Sequence, residues 1–223
     1  MAAPIEVICV DMAGTTMSDD GVVAGAFRRT IATMGLDRVS AARAESYVRA
    51  TMGQSKIEVF RALFGPTAER ANALFEGAIA DVAREIGVSA VEGVEATVRA
   101  WRASGRRVAL TTGFSPETRE ALVALLGWGD LFDLRVSPAD AGRGRPSPDM
   151  VWWSATRLEA PSCEAVMVVG DTAADIESGR RAGAGWCVGV RTGTDDEATL
   201  LAAGADAVVD ALADALPGAS GSE

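Results

Sequence analysis

Short runs of apolar, mostly β-branched residues recur along this chain and alternate with segments of helical spacing. The runs lie at residues 5–10, 107–111, 134–137, 165–169, 186–190 and 206–209. A run of this length, bounded by glycine or polar residues, is typical of a buried strand. Strands that alternate with helices pair in parallel, because each helix carries the chain back to the same end of the sheet. We therefore predict an α/β fold with a Rossmann-like three-layer core and a mostly parallel sheet.

Helical spacing replaces this alternation after the first run. Phe27, Ile31 and Met34 recur at i, i+4 and i+7, and alanine-rich and arginine-rich segments follow as far as residue 87, with glycines as breaks. We predict an α-helical cap domain at 20–89, inserted into a Rossmann-like core domain made of 1–19 and 90–216. The glycine-rich and serine-rich segment 217–223 is predicted to be a flexible tail.

Composition excludes several classes of function. The 223 residues include 48% hydrophobic residues, enough for a sizeable core, and the formal net charge of -10 argues against a nucleic acid partner. No apolar run approaches the length of a membrane span, and three scattered cysteines favour reduced thiols, so we expect a cytoplasmic protein without a membrane partner. Histidine is absent, so catalysis would depend on carboxylates, hydroxyls, arginine or lysine.

Polar side chains that can carry chemistry follow the predicted strands. Asp11 ends the first run, Thr112 follows the second, and Asp171 follows the run that ends in Gly170. Because the carboxyl ends of parallel strands lie along one edge, residues far apart in sequence converge there. Mg²⁺ prefers hard oxygen ligands and takes one or two carboxylates. We predict a site for Mg²⁺ and a phosphate group at this edge.

Four motifs resemble those of the haloacid dehalogenase superfamily in order and spacing, over nearly the whole chain. They are Asp11-x-Ala13-Gly14-Thr15, Thr112, Arg145-Pro146-x-Pro148 and Gly170-Asp171-x-x-x-Asp175. By this resemblance Asp11 is the nucleophile that forms an aspartyl phosphate, Thr112 donates to a phosphoryl oxygen, and Arg145 balances the charges of nucleophile and phosphate. These roles agree with the need of phosphoryl transfer for alignment and fixed positive charge.

The same resemblance implies a Mg²⁺ site. Asp11, Asp171 and the backbone carbonyl of Ala13 would bind the ion, and Asp175 would orient water on it. Ala13 departs from the usual pattern of the superfamily, which has a second aspartate there as the acid that protonates an alcohol leaving group. An alanine cannot deliver a proton, so either the phosphatase activity is weakened or the leaving group needs no acid at this position.

Asp11-x-Ala13-Gly14-Thr15 together with an arginine at 145 resembles a narrower subfamily, the phosphonatase-like phosphonoacetaldehyde hydrolases. These enzymes cleave a carbon–phosphorus bond after condensing the substrate aldehyde with a lysine of the cap. Met52-Gly53-Gln54-Ser55-Lys56-Ile57 resembles the segment that carries this lysine. Lys56 is also the only lysine in the chain, against twenty arginines, and arginine cannot form an imine because it stays protonated. The alternative is a surface lysine without a catalytic role.

Two positions depart from the subfamily. Val59 stands where the subfamily has a histidine, and Phe114 stands where it has a tyrosine, which leaves the proton donor and the substrate contacts open. The substrate-binding residues expected from the resemblance are Met12, Ala13, Met52, Gly53, Gly113 and Phe114.

The sequence thus predicts a Mg²⁺-dependent hydrolase that cleaves a small phosphonate, phosphonoacetaldehyde or a close analogue, through Asp11 and a Schiff base on Lys56. One alternative is a phosphate-monoester phosphatase that acts on a small phosphometabolite without imine chemistry. Another is a non-catalytic protein that binds a phosphorylated metabolite. The expected partner is a small-molecule phosphonate or phosphate, and the candidate oligomeric state is a homodimer.

Overall fold

The computed structural model describes residues 4–18, 21–51 and 54–216 and has a single six-stranded sheet within them. The strands are β1 (Val7–Asp11), β2 (Arg107–Thr111), β3 (Leu134–Val136), β4 (Val166–Gly170), β5 (Trp186–Val190) and β6 (Ala207–Val209). They lie in the order β3-β2-β1-β4-β5-β6, and every neighbouring pair is parallel. The predicted α/β fold with a parallel sheet is confirmed, and the predicted strand bounds agree within two residues.

Helices connect the strands and form the segment that follows β1. They are α1 (Val22–Thr33), α2 (Arg38–Ala50), α3 (Lys56–Phe64), α4 (Ala68–Ile86), α5 (Val94–Ala103), α6 (Pro116–Leu125), α7 (Pro138–Ala141), α8 (Asp149–Arg157), α9 (Ala173–Ala182) and α10 (Glu197–Ala202). Among the described residues, no helix combines the length and the apolar character needed to cross a membrane. Four of these helices, α1 to α4, lie between β1 and α5, where the sequence predicts an insertion.

Strand β1 is buried on both faces, which explains its uninterrupted apolar sequence. Val7 and Cys9 belong to a core cluster with residues of α8 and α9, whereas Ile8 and Val10 belong to a second cluster with residues of α5 and α6. Successive side chains of a strand point to opposite faces, so this alternation produces a helix layer on each side of the sheet. The result is the predicted three-layer core.

The register of the sheet fixes where the strand ends meet. Asp11 of β1 lies beside Thr111 of β2, and Val10 lies beside Val169 of β4. The chain runs outward from β1 through β2 and β3 on one side and continues through β4, β5 and β6 on the other. Parallel sheets bind ligands at such a reversal of strand order, at the carboxyl ends of the strands. Asp11 stands at this place.

An aromatic cluster holds the inserted helices together. The rings of Phe27 in α1, Phe60 in α3 and Phe75 in α4 are buried, with centroids 4.4–5.5 Å apart. Phe75 also stacks on Phe114, which follows β2, with 6.4 Å between the ring centroids. Aromatic pairs at these distances add to the free energy gained by burial alone. The cluster therefore packs the inserted helices against a loop of the sheet edge.

Two backbone linkers pair where the insertion begins and ends. The Ser18 N–H donates to the Ser89 carbonyl at 2.9 Å, and the Val91 N–H donates to the Thr16 carbonyl at 2.9 Å. The predicted boundary between residues 19 and 20 and the predicted tail at 217–223 lie outside the described residues. The division into core and cap domains stays a prediction, and the paired linkers lie close to the two junctions that it requires.

Candidate active site

Asp11 is buried at the carboxyl end of β1, with 5% of its surface exposed. The Arg145 guanidinium approaches it from the loop before α8, and Arg145 Nη2 lies 2.5 Å from Asp11 Oδ1. Burial raises the pKa of Asp11 to about 8, against the lowering effect of Arg145, and the carboxylates of Asp175 and Asp171 raise the pKa further. A cationic ligand would therefore stabilise the ionised form of Asp11.

Asp171 follows β4 and is almost completely buried. Thr15 Oγ1 donates to Asp171 Oδ1 at 3.0 Å, and the Thr194 N–H donates to Oδ2 at 2.8 Å. Burial raises the pKa of Asp171 to about 6, and the charge of Asp175 acts in the same direction. The two donors fix the orientation of a carboxylate that lies beside two others.

Asp175 lies in the first turn of α9 and is also buried. Its Oδ2 accepts the Thr172 N–H at 3.1 Å, which belongs to the capping box at the start of the helix, and it also accepts the Thr172 hydroxyl at 2.6 Å. Its Oδ1 forms an ion pair with Arg145. Asp175 therefore holds Arg145 in place as well as contributing its charge.

The three carboxylates of Asp11, Asp171 and Asp175 each offer an oxygen within 4.8 Å of the others. When all three carboxyl groups are ionised, their negative charges face the single guanidinium of Arg145, which leaves a deficit of two positive charges within this group. A divalent cation with hard oxygen preference matches both the charge and the donor atoms. The cluster therefore fits a metal ion.

A small cavity of about 30 Å³ opens between these carboxylates and the insertion. It is lined by Asp11, Ala13, Val23, Lys56, Thr112, Gly113, Phe114, Arg145, Asp171, Thr172 and Thr194. This volume holds one or two water molecules, so a phosphonate or phosphate enters only when the walls move. The structure has the insertion closed over the carboxylates.

Lys56 is the first residue of α3 and reaches this cavity from the insertion. Only 6% of its surface is exposed, and its Nζ lies 5.8 Å from the centroid of the Phe27 ring. An amine at this distance over an aromatic face is held by a cation–π contact. The lone lysine and the strand-end aspartate, forty-five positions apart, thus share one enclosed space.

The remaining predicted residues fall into three groups. Ala13, Gly113 and Phe114 line the cavity, and their contact with a substrate stays a prediction. Met12 does not line it, and its side chain is completely buried in the hydrophobic core. Met52 and Gly53 lie outside the described residues.

Thr112 presents a hydroxyl at this edge. Its Oγ1 accepts the Phe114 N–H at 3.3 Å, which leaves the hydroxyl hydrogen available to a ligand. Arg145 Nε is a second available donor, since this buried atom has no hydrogen-bond partner in the part of the chain that the structure describes. Both donors suit an oxyanion in the cavity.

The loop after β5 contributes residues that the sequence reasoning missed. The Thr192 hydroxyl donates to the Gly14 carbonyl at 2.7 Å, and Thr194 holds Asp171. A Cβ on Gly193 would lie 2.0 Å from Asp171 Oδ2, and one on Gly14 would lie 2.4 Å from the same atom. The sequence shows a glycine between two threonines after β5, but this pattern alone does not indicate which residue the loop approaches.

The chain resembles known proteins in both sequence and fold. The family model for haloacid dehalogenase-like hydrolase matches residues 5–183. Together with the fold and the carboxylate cluster, this match shows that the chain belongs to that family of hydrolases.

Within the family, the chain resembles proteins of two kinds. It is 33% identical to the phosphonoacetaldehyde hydrolase of Syntrophobacter fumaroxidans over 235 residues, which cover 94% of this chain and 82% of the other. The match to the phosphonoacetaldehyde hydrolase of Bacillus cereus is 34% over 109 residues and spans only 40% of that protein. The chain is also 27% identical to the plasmid-encoded phosphoglycolate phosphatase of Cupriavidus necator, with 97% of this chain and 94% of the other covered.

A solved structure supports the fold. The phosphonoacetaldehyde hydrolase-like protein of Oleispira antarctica superposes with a TM-score of 0.81 at 26% identity, and the match covers 96% of this chain and 90% of the other. The predicted resemblance to haloacid dehalogenase hydrolases, and to phosphonoacetaldehyde hydrolases among them, is thereby confirmed.

Proposed function

We propose that this hydrolase cleaves the carbon–phosphorus bond of a small phosphonate that carries an aldehyde, phosphonoacetaldehyde or a close analogue. Asp11 would accept the phosphoryl group, and Lys56 would form a Schiff base with the aldehyde. The observation that carries the proposal is that Asp11 and Lys56 line the same cavity. A phosphatase that uses only the carboxylate cluster has no need of an amine there.

The proposed reaction has two covalent stages, one on Lys56 and one on Asp11. The Lys56 amine condenses with the aldehyde and releases water, which gives an iminium carbon next to the carbon that bears phosphorus. When phosphorus transfers to an Asp11 oxygen, the electron pair of the carbon–phosphorus bond moves toward the iminium and gives an enamine. Protonation and hydrolysis of the enamine release the two-carbon aldehyde and free Lys56. Water then hydrolyses the aspartyl phosphate to inorganic phosphate.

This route explains the alanine at position 13. An alcohol leaving group needs a proton from an acid at that position, whereas the iminium accepts the departing electrons without one. Ala13 lines the cavity beside Asp11, so no acid acts from that position. The proton that the enamine requires would come from water, because Val59 is buried in the core, away from the cavity, and Phe114 has no proton to give.

Arg145 and Thr112 would bind the phosphoryl oxygens. Arg145 already pairs with Asp11 and Asp175, so its charge is fixed before substrate arrives. Preorganised donors of this kind stabilise the charge that develops during transfer, at no cost in reorganisation. The free Nε of Arg145 and the hydroxyl of Thr112 supply donors that the protein itself does not use.

We propose Mg²⁺ as the metal, held by Asp11, Asp171 and the backbone carbonyl of Ala13, with Asp175 orienting its water. When bound, the ion neutralises the carboxylates and polarises the phosphoryl oxygens. Thr15 and the Thr194 N–H orient the Asp171 carboxylate toward this role. A cytoplasmic location and a homodimeric state stay predictions.

Replacing Gly193 with alanine tests the Asp171 arrangement. Its Cβ would overlap Asp171 Oδ2, so we expect the carboxylate to move and the affinity for Mg²⁺ to fall about tenfold or more. Isothermal titration with Mg²⁺ would measure this directly. Gly129→Ala is the control, because a Cβ there meets nothing within 4 Å. Equal Mg²⁺ affinity in the two variants would remove Asp171 from the metal site.

A phosphatase acting on a small phosphate ester is the second candidate, favoured by the nearly full-length similarity to a phosphoglycolate phosphatase. A substrate panel separates the two functions. We expect kcat/KM for phosphonoacetaldehyde to exceed that for phosphoglycolate, sugar phosphates and p-nitrophenyl phosphate. The opposite ranking would favour the phosphatase.

A further inference from the structure

The turn that carries Lys56 rests against two glycines of the sheet edge. Ser55 is buried, with 6% of its surface exposed, and a Cβ on Gly144 would lie 2.7 Å from the Ser55 Cβ and 3.3 Å from its Oγ. On the other side, a Cβ on Gly113 would lie 3.4 Å from the Gln54 carbonyl oxygen. Real Cβ atoms do not approach as closely as 2.7 Å, so the Ser55 contact exists only because position 144 has no side chain.

These contacts join the two halves of the candidate site. Gly144 directly precedes Arg145, and Ser55 directly precedes Lys56. Gly113 directly follows Thr112 and lines the cavity. The distance between the lysine and the carboxylate cluster therefore depends on how closely the turn at 54–55 approaches the loops at 113 and 144.

We propose that Gly144 is a positioning residue that sets the depth to which Lys56 enters the Asp11 cavity. The backbone of Gly144 has no positive φ that would restrict it to glycine. The demand for glycine at this position is therefore one of space, made first by Ser55 across the interface, with Pro138 Cγ as a second neighbour 3.1 Å from the added Cβ. A side chain at 144 pushes the Lys56 turn outward and leaves the carboxylate cluster in place.

The catalytic consequence rests on the proposed function. Chemistry that needs Lys56 and Asp11 together is lost when the turn moves outward, because reacting groups must be held within a fraction of an ångström. Chemistry that needs only Asp11, Arg145 and the metal persists. Gly144 thus decides whether the site acts on an aldehyde phosphonate or merely on a phosphate ester.

The rate at which the Lys56 amine reacts measures how accessible this side chain is, and the measurement needs no substrate. It is the only lysine, so an amine-reactive acetylating reagent modifies one side chain, which mass spectrometry identifies. We expect Gly144→Ala to raise the rate of Lys56 acetylation about tenfold, the shift that corresponds to about 1.4 kcal/mol. Gly77→Ala, in helix α4, is the control, because a Cβ there meets nothing within 4 Å.

A compensating change separates positioning from general damage to the loop. Ser55→Gly removes the Cβ and Oγ that the new side chain meets, so the double variant Gly144→Ala with Ser55→Gly should return to the slow acetylation of the wild type. A loop that is simply distorted around Arg145 would not recover. If Gly144→Ala does not fold, Ser55→Thr introduces a methyl group into the same contact from the other side and should raise acetylation instead.

The proposal is wrong if Lys56 in Gly144→Ala is acetylated at the wild-type rate. If that variant does not fold, the same result in Ser55→Thr overturns the proposal. A double variant whose Lys56 is still acetylated rapidly also overturns it. A second assay connects position to chemistry: Gly144→Ala should lose turnover of phosphonoacetaldehyde at least tenfold more than turnover of p-nitrophenyl phosphate. If the wild type forms no imine, the proposed function fails in this second assay, while the acetylation result still decides the role of Gly144.

Discussion

Asp11→Asn is expected to abolish phosphate release from every substrate, with kcat lowered by about 10⁴-fold or more. The amide keeps the shape of the carboxylate but cannot accept a phosphoryl group. Asp11 is buried at the end of β1 and pairs with Arg145, so no neighbouring carboxylate takes its place in the same geometry. Phosphate release measured with phosphonoacetaldehyde and with p-nitrophenyl phosphate should fall together, because both reactions pass through the same acceptor.

The control for this variant is Asp210→Asn, the same chemical change in a side chain that is 84% exposed. It should leave both activities unchanged, because an exposed ion pair contributes little. Thermal unfolding of both variants would show that the fold persists. Substantial phosphate release by folded Asp11→Asn protein would contradict the assignment of Asp11 as nucleophile.

Lys56→Arg is expected to separate two activities that Asp11→Asn removes together. Arginine keeps the positive charge but forms no imine. Turnover of phosphonoacetaldehyde should fall about a thousandfold or more, because the electrons of the carbon–phosphorus bond lose their acceptor. Turnover of p-nitrophenyl phosphate should change far less. Lys56→Met, whose unbranched side chain is one atom shorter and has no amine, should lose the same activity.

Several parts of the fold follow directly from the sequence. Asp11 and Asp171 were predicted to meet because both follow strands of one parallel sheet, and the alternation of strand and helix patterns fixes that topology. The strands were recognisable because β1 and β4 are buried on both faces and read as uninterrupted apolar runs. The helical insertion after β1 was recognisable because glycines interrupt a pattern of helical period.

Other parts depend on tertiary contacts that no local pattern reveals. Gly193 and Thr194 lie more than twenty residues beyond Asp171, and their approach is set by how the loop after β5 folds back. Ser55 and Gly144 meet across nearly ninety positions, and small residues alone do not announce such a contact. Sequence reasoning on single motifs could not find either pair.

Met12 and Asp175 show a second kind of limit. Met12 directly follows Asp11 at the end of β1, but its side chain enters the same core cluster as Ile8 and Val10, whereas the aspartate lines the cavity. Asp175 was predicted to act on metal-bound water, and its carboxylate also caps helix α9 and pairs with Arg145. A motif identifies a residue type at a position, whereas its partners depend on the packing around it.

The proposed function requires Lys56 and Asp11 to act on the same substrate molecule. Reduction with borohydride in the presence of phosphonoacetaldehyde tests it most directly, because reduction of the imine leaves a stable secondary amine. Mass spectrometry should find the adduct on Lys56 in the wild type and, with Asp11→Asn, a larger yield because the imine no longer proceeds to bond cleavage. The absence of any adduct on Lys56, with phosphonoacetaldehyde still turned over, would contradict the account.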